Sequence, residues 1–92
     1  MKGILLLGGA PVAEDIKAEI ARENKKIRYL RFMADFALAY VAGQAESVEE
    51  AEKVVGDLKR TATHLFPGKE ETFEIIYRPR FDRVIAERFG LH

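Results

Sequence analysis

The 92-residue chain contains no cysteine and no tryptophan, and only one asparagine, one glutamine and one serine. Without cysteine the chain cannot form a disulfide framework, use a thiol nucleophile or bind zinc through thiolates. The scarcity of Asn, Gln and Ser, beside 33% charged residues, is the composition typical of thermophile proteins. We therefore expect a thermophilic source.

An excess of charge of one sign is also missing, because 15 Lys and Arg residues balance 15 Asp and Glu residues. A net charge of zero favours neither nucleic acid nor an acidic membrane as a partner. The longest apolar stretch, residues 32–42, has eleven residues and contains Asp35, whereas a membrane-spanning helix needs about 20. The N-terminal run Ile4 to Leu7 is shorter than the ~7 apolar residues of a secretory signal. We expect a cytoplasmic protein of one domain, residues 1–92, with no membrane contact.

Apolar residues recur at helical spacing along most of the chain. They predict a helix from Val12 to Glu23 and another from Ile27 to Val41, and no Gly or Pro between these segments prevents one continuous helix. Gly43 predicts the end of this helix. Ser47 and Glu50, three residues apart, have the spacing of a capping box that begins a helix over residues 48–65.

Pro67 and Gly68 predict the end of that helix. After residue 69 the spacing of Phe73, Ile76 and Tyr77 predicts a short helix, and the alternative is a strand over residues 72–77 paired with residues 4–7. Pro79 predicts the start of a last helix, which ends at Gly90. The fold class is therefore all-α, a compact bundle of four to five helices with a short irregular or extended N-terminal arm of ten residues.

Residues 3–11 contain the apolar run and glycines that open a dinucleotide-binding unit. The rest of that motif is missing, because no third spaced glycine, second parallel strand or acidic residue at the end of that strand follows. An apolar arm that packs on the helices or on a neighbouring chain is the better interpretation.

Catalytic and metal-binding sets do not assemble from this sequence. The only histidines are His64 and His92, and a zinc site needs three or four ligands. His64 lies near the end of helix 48–65, where an imidazolium complements the helix dipole, and the Ser47 hydroxyl is used by its cap. We expect no metal, no cofactor and no enzymatic activity. Asp35 is expected to pair with Arg31, or otherwise with Arg28 or Lys59.

Two surfaces are candidate sites. Phe32, Phe36 and Tyr40 lie on a helix that is apolar on nearly all sides, which predicts a homo-oligomer interface, most simply of a two-fold dimer. Three arginines interleaved with aromatic residues around Pro79 are the candidate anion-binding residues, namely Arg78, Arg80 and Arg83. The simpler interpretation of these arginines is i,i+4 ion pairing of Glu74 with Arg78, Arg78 with Asp82, and Arg83 with Glu87.

The sequence thus predicts a self-associating protein-interaction module, with binding to nucleic acid or phosphate as the alternative. The partner of such a module is a second copy of the chain or another protein. We do not expect a nucleic acid as the partner. The two functions differ in salt dependence, because phosphate binding weakens steeply with salt whereas an apolar interface barely responds.

Overall fold

The computed structural model describes the backbone of residues 2–91 and the side chains of residues 14–91. It contains four helices, which are α1 (Lys2–Gly43), α2 (Val48–Leu65), α3 (Glu70–Ile76) and α4 (Arg78–Phe89). No strand occurs between residues 2 and 91. The predicted all-α bundle is confirmed with four helices. Residues 72–76 belong to α3 rather than to a strand, and Tyr77 is the turn residue between α3 and α4.

Helix α1 joins the two segments that the periodicity predicted separately and continues through residues 24–26. The backbone of residues 2–10 is also helical, where the sequence predicted an irregular or extended arm because of Gly8, Gly9 and Pro11. The described chain contains no strand with which an extended arm could pair. A helix satisfies its backbone N–H and C=O groups within itself, and leucine has a high helix propensity.

The second half of α1 packs against α2 and α4, and α3 packs against α2 and α4. No described Cα atom of α3 lies within 8 Å of a Cα atom of α1. The two helices therefore leave an opening between them. The molecule measures 68 × 20 × 17 Å, and its long dimension follows from α1, which as a 42-residue helix is about 63 Å long.

The core is made largely of small side chains. Five of its twelve residues are alanines, and the largest fully buried side chain is Phe81 of α4. The buried residues of the described chain are Leu30, Ala34, Ala37, Val41, Ala45, Ala51, Val55, Leu58, Ala62, Phe73, Phe81 and Ile85. Several large apolar residues of α1 lie at the surface.

The turn between α1 and α2 is fixed by the predicted cap. The N–H of Glu50 donates to Ser47 Oγ at 3.0 Å, which confirms Ser47 as the N-cap. In a capping box the Glu50 side chain would accept the N–H of the N-cap residue, Ser47. Here Glu50 Oε1 accepts the N–H of Glu46 instead, one residue earlier, at 2.7 Å. From α4, Arg88 donates through Nε and Nη2 to the carbonyl of Ala45 at 3.1 and 2.7 Å.

The last two helices meet at Tyr77, with Pro79 in the first turn of α4. Proline has no N–H to donate back to α3, so the chain begins a new helix there. Gly90 ends α4 with φ of 71°, in the left-handed region that favours glycine. Both predicted boundaries of α4 are therefore confirmed.

Candidate functional site

Three aromatic side chains of α1 form an exposed row on the face opposite to the core. Tyr29, Phe32 and Phe36, which we call the aromatic row, are 49%, 66% and 63% exposed. Steps of three and four residues place them on one helix face, whereas Leu30 and Ala34 between them are buried. Two of the three predicted interface residues, Phe32 and Phe36, therefore belong to one exposed surface.

Tyr40, the third predicted interface residue, is half-buried, lies in the last turn of α1 and contacts the turn between α1 and α2. Its hydroxyl donates to Glu50 Oε2, and its carbonyl accepts the N–H groups of Gln44 and Ala45 at 2.7 and 3.0 Å. The hydrogen bond to Glu50 raises the pKa of Tyr40, and burial and the Glu50 charge raise it further. The third member of the aromatic row is Tyr29 rather than Tyr40. The i, i+3, i+7 spacing of Tyr29, Phe32 and Phe36 indicates that they share one helix face.

A cavity of about 210 Å³ lies beside Phe36, between α1 and α2. Its lining is mostly apolar and consists of Met33, Phe36, Ala37, Tyr40, Val54, Asp57, Leu58 and Thr61. The aromatic row therefore borders a mostly apolar recess in the surface.

Arg78 of the predicted anion site is paired with two carboxylates. It contacts Glu74 through Nε at 3.2 Å and Glu52 of α2 through Nη1 at 3.0 Å. Burial lowers the pKa of Arg78, but the hydrogen bonds to Glu74 and Glu52 outweigh it and raise the pKa above its ordinary value. Glu74 also accepts from Lys59 Nζ at 2.6 Å, and this bond, with that of Arg78, lowers the pKa of Glu74. The network ties α2, α3 and α4 together.

The three arginines do not converge on one site. Arg80 and Arg83 are exposed, and Arg80 stands 5.8 Å from the centre of the Tyr77 ring. Residues 78 and 80 are two apart on α4, so their side chains leave the helix on nearly opposite sides. Of the predicted ion pairs, Glu74 with Arg78 is confirmed. Arg78 does not pair with Asp82, because it reaches Glu74 and Glu52 instead. Arg83 and Glu87 form no ion pair among the described residues.

Asp35 is exposed and makes no ion pair within residues 14–91, so its predicted pairing with Arg31, Arg28 or Lys59 is wrong. Lys59 pairs with Glu74 instead. Water solvates an exposed carboxylate, so Asp35 does not need a partner.

A groove between α1 and α3, which the sequence did not reveal, has a volume of about 590 Å³. Apolar residues form most of its lining, and Arg31, Asp35, Lys69 and Arg80 are its charged residues. The apolar and aromatic lining residues are Ile27, Leu30, Ala62, Phe66, Phe73, Ile76 and Tyr77. We call this feature the α1–α3 groove.

Other kinds of site find little support in the part of the chain that the structure describes. No group of three or more His, Asp or Glu side chains there could hold a metal ion, and His64 is exposed in the last turn of α2. None of the described helices combines the length and apolar character needed to cross a membrane. No protein-family model, curated protein or solved structure shows significant similarity to the chain. The surfaces themselves therefore provide the evidence on function.

Proposed function

We propose that this protein is a small helical interaction module that self-associates through the aromatic row. The exposure of Phe32 and Phe36, about two thirds of each residue, is the observation that carries the proposal. An aromatic side chain buries about 150–250 Å² when it is covered, so the row leaves about 350 Å² of apolar surface in water. The largest apolar patch of a typical monomer is about 300–600 Å² and often has a binding role, so a patch of this size is a candidate binding surface.

A two-fold dimer is the simplest assembly, because it covers the same patch on both copies. The two rows would bury about 700 Å² together, which is nearly half of a standard interface of about 1,600 Å². The recess between α1 and α2 beside Phe36 adds apolar area to the same face. The proposal includes a cytoplasmic location, a thermophilic source and a binding role without catalysis.

The test is the effect of a charge in the row on the molar mass. Phe36→Glu places a carboxylate in the proposed interface, where it has no partner, so the assembly should shift towards a smaller species. Ile75→Glu is the matched control, because Ile75 of α3 is 68% exposed and lies outside the row. Light scattering should show a reduced mass for Phe36→Glu alone. Equal masses for wild type and Phe36→Glu would exclude the row as the interface.

The second candidate function, binding of phosphate or nucleic acid, retains Arg80 and Arg83, which are exposed and make no ion pair among residues 14–91. Arg78 does not support this function, because its guanidinium is paired with Glu74 and Glu52. Fluorescence anisotropy with a labelled single-stranded oligonucleotide distinguishes the two functions. We expect the oligonucleotide not to bind. Binding whose affinity falls steeply with salt, and falls again with Arg80→Gln, would favour this second candidate.

A further inference from the structure

A second apolar stripe runs along the first half of α1. Ile16, Ile20 and Ile27, which we call the isoleucine stripe, are 52%, 54% and 41% exposed. Ile27 and Ile16 precede Ala34 by seven and eighteen residues, close to two and five whole helical turns. Because Ala34 is buried against the bundle, the stripe continues the core-facing side of α1.

The other helices leave the beginning of this stripe, at Ile16 and Ile20, exposed. Lys26 lies over the Phe66 ring, 5.6 Å from its centre, and Phe66 follows the last residue of α2. Residues 14–22 are exposed throughout. A helix in water gains most of its stability from packing its apolar face, so this segment needs a covering surface.

The charges of the segment complement those of the α1–α3 groove. Residues 14–23 carry four carboxylates and two cations, an excess of two negative charges. The groove carries Arg31, Lys69 and Arg80 against Asp35, an excess of two positive charges. None of these four groove residues makes an ion pair among the described residues. An amphipathic, acidic helix therefore matches the groove in both apolar character and charge.

We propose that the α1–α3 groove holds residues 14–23 of α1 from a second copy of the chain, in a reciprocal and antiparallel pair. A two-fold axis near residue 24 would set residues 14–23 of each copy opposite residues 25–34 of the other. Residues 25–34 carry four positive charges, on Lys25, Lys26, Arg28 and Arg31, and no negative charge before Asp35. A parallel pair would set acidic residues against acidic residues, so the charges select the antiparallel arrangement.

This contact uses a different face of α1 from the aromatic row and goes beyond the proposed function. With both two-fold contacts present, the chain assembles beyond the dimer, as a closed dimer of dimers where the two axes intersect at right angles, and loss of either contact leaves dimers. The two proposals can therefore fail separately.

Cross-linking tests the groove directly, because the chain has no cysteine of its own. Ile20→Cys is placed in one copy and Thr72→Cys, in the groove lining, in a second copy with a larger tag. The mixed copies are treated with a short bismaleimide, and the product that joins the two tags is measured by mass. Lys53→Cys, exposed on α2 and outside the groove lining, replaces Thr72→Cys as the control.

We expect the Ile20→Cys copy to cross-link to Thr72→Cys about a hundredfold faster than to Lys53→Cys, because docking raises the local thiol concentration from micromolar towards millimolar. Lys69→Glu with Arg80→Glu in the Thr72→Cys copy should slow the reaction, and Glu14→Lys with Glu19→Lys in the other copy should restore it. Circular dichroism confirms that each variant is folded.

Equal rates for Thr72→Cys and Lys53→Cys would overturn the proposed groove contact. Phe36→Glu in both copies should leave the cross-linking rate unchanged, since the aromatic row is not part of this contact. Loss of the cross-link in the Phe36→Glu background would overturn the groove as an independent contact. An unchanged molar mass of Phe36→Glu would instead contradict the proposed function and leave the groove contact standing.

Discussion

Ser47, Glu50 and Arg88 hold the turn between α1 and α2 from two sides. Ser47 and Glu50 act on neighbouring backbone groups, and Arg88 reaches the Ala45 carbonyl from 43 residues further along the chain. The cap could be predicted from sequence because its residues are three apart. The Arg88 contact could not, since it depends on where α4 packs.

Removal of the N-cap tests the local part of this turn. Ser47→Ala should lower the free energy of unfolding by about 1 kcal/mol, because the Glu50 N–H loses its acceptor. Chemical denaturation measures the change. An unchanged midpoint and slope would show that the cap does not stabilise α2.

Glu50 gives the turn a dependence on pH. The N–H of Glu46 and then the Tyr40 hydroxyl, which both donate to Glu50, lower its pKa from the ordinary value of 4.5. A lowered pKa in the folded state means that the ionised carboxylate stabilises the protein above about pH 4.5, and that this contribution is lost as the pH falls through the folded-state pKa.

Glu50→Gln should therefore reduce the loss of stability between pH 6 and pH 3, a range of about three units that spans the titration of carboxylates. Denaturation at both pH values measures it. Glu87→Gln is the control, because Glu87 is exposed and makes no side-chain hydrogen bond among the described residues. The same pH dependence in wild type and Glu50→Gln would contradict the role of Glu50.

At the scale of the helices, α2 and α4 could be predicted well because their boundaries are set by local residues. Ser47, Pro79 and Gly90 act within one turn of the helix ends that they define. The α1–α3 groove could not be predicted, because it results from the separation of two helices that are distant in sequence. The pairing of Arg78 with Glu52, 26 residues away, escaped prediction for the same reason.

Phe81 tests how α4 is held in the bundle. It is the largest fully buried side chain of the described core, so Phe81→Ala should lower the free energy of unfolding by about 3–5 kcal/mol through lost burial and a cavity. Ile75→Ala, at an exposed position of α3, should change it by less than about 0.5 kcal/mol. Similar effects of the two substitutions in chemical denaturation would contradict the assignment of Phe81 to the core.

At the scale of the whole molecule, the shape explains why self-association is expected. Helices α2 and α4 cover one face of the second half of α1, and the aromatic row and the isoleucine stripe stay in water. Sequence periodicity located the apolar residues on α1 but could not show which of its two faces the other helices cover. Only the structure separates the buried Ala34 face from the exposed Phe32 face.

The composition predicts a high thermal stability. With few Asn, Gln and Ser residues and one third of the chain charged, the Tm should lie above the range of about 45–65 °C that is typical of mesophile domains. Thermal unfolding followed by circular dichroism at fixed protein concentration measures it. A Tm within or below that range would contradict a thermophilic source.

The molar mass of the wild-type protein in solution tests the central claim most directly. Light scattering at micromolar concentration should give at least twice the 10.4 kDa of one chain, with a mass that decreases on dilution as the copies separate. A mass of 10.4 kDa throughout the micromolar range would mean that the aromatic row stays in water, and it would contradict self-association as the function of this protein.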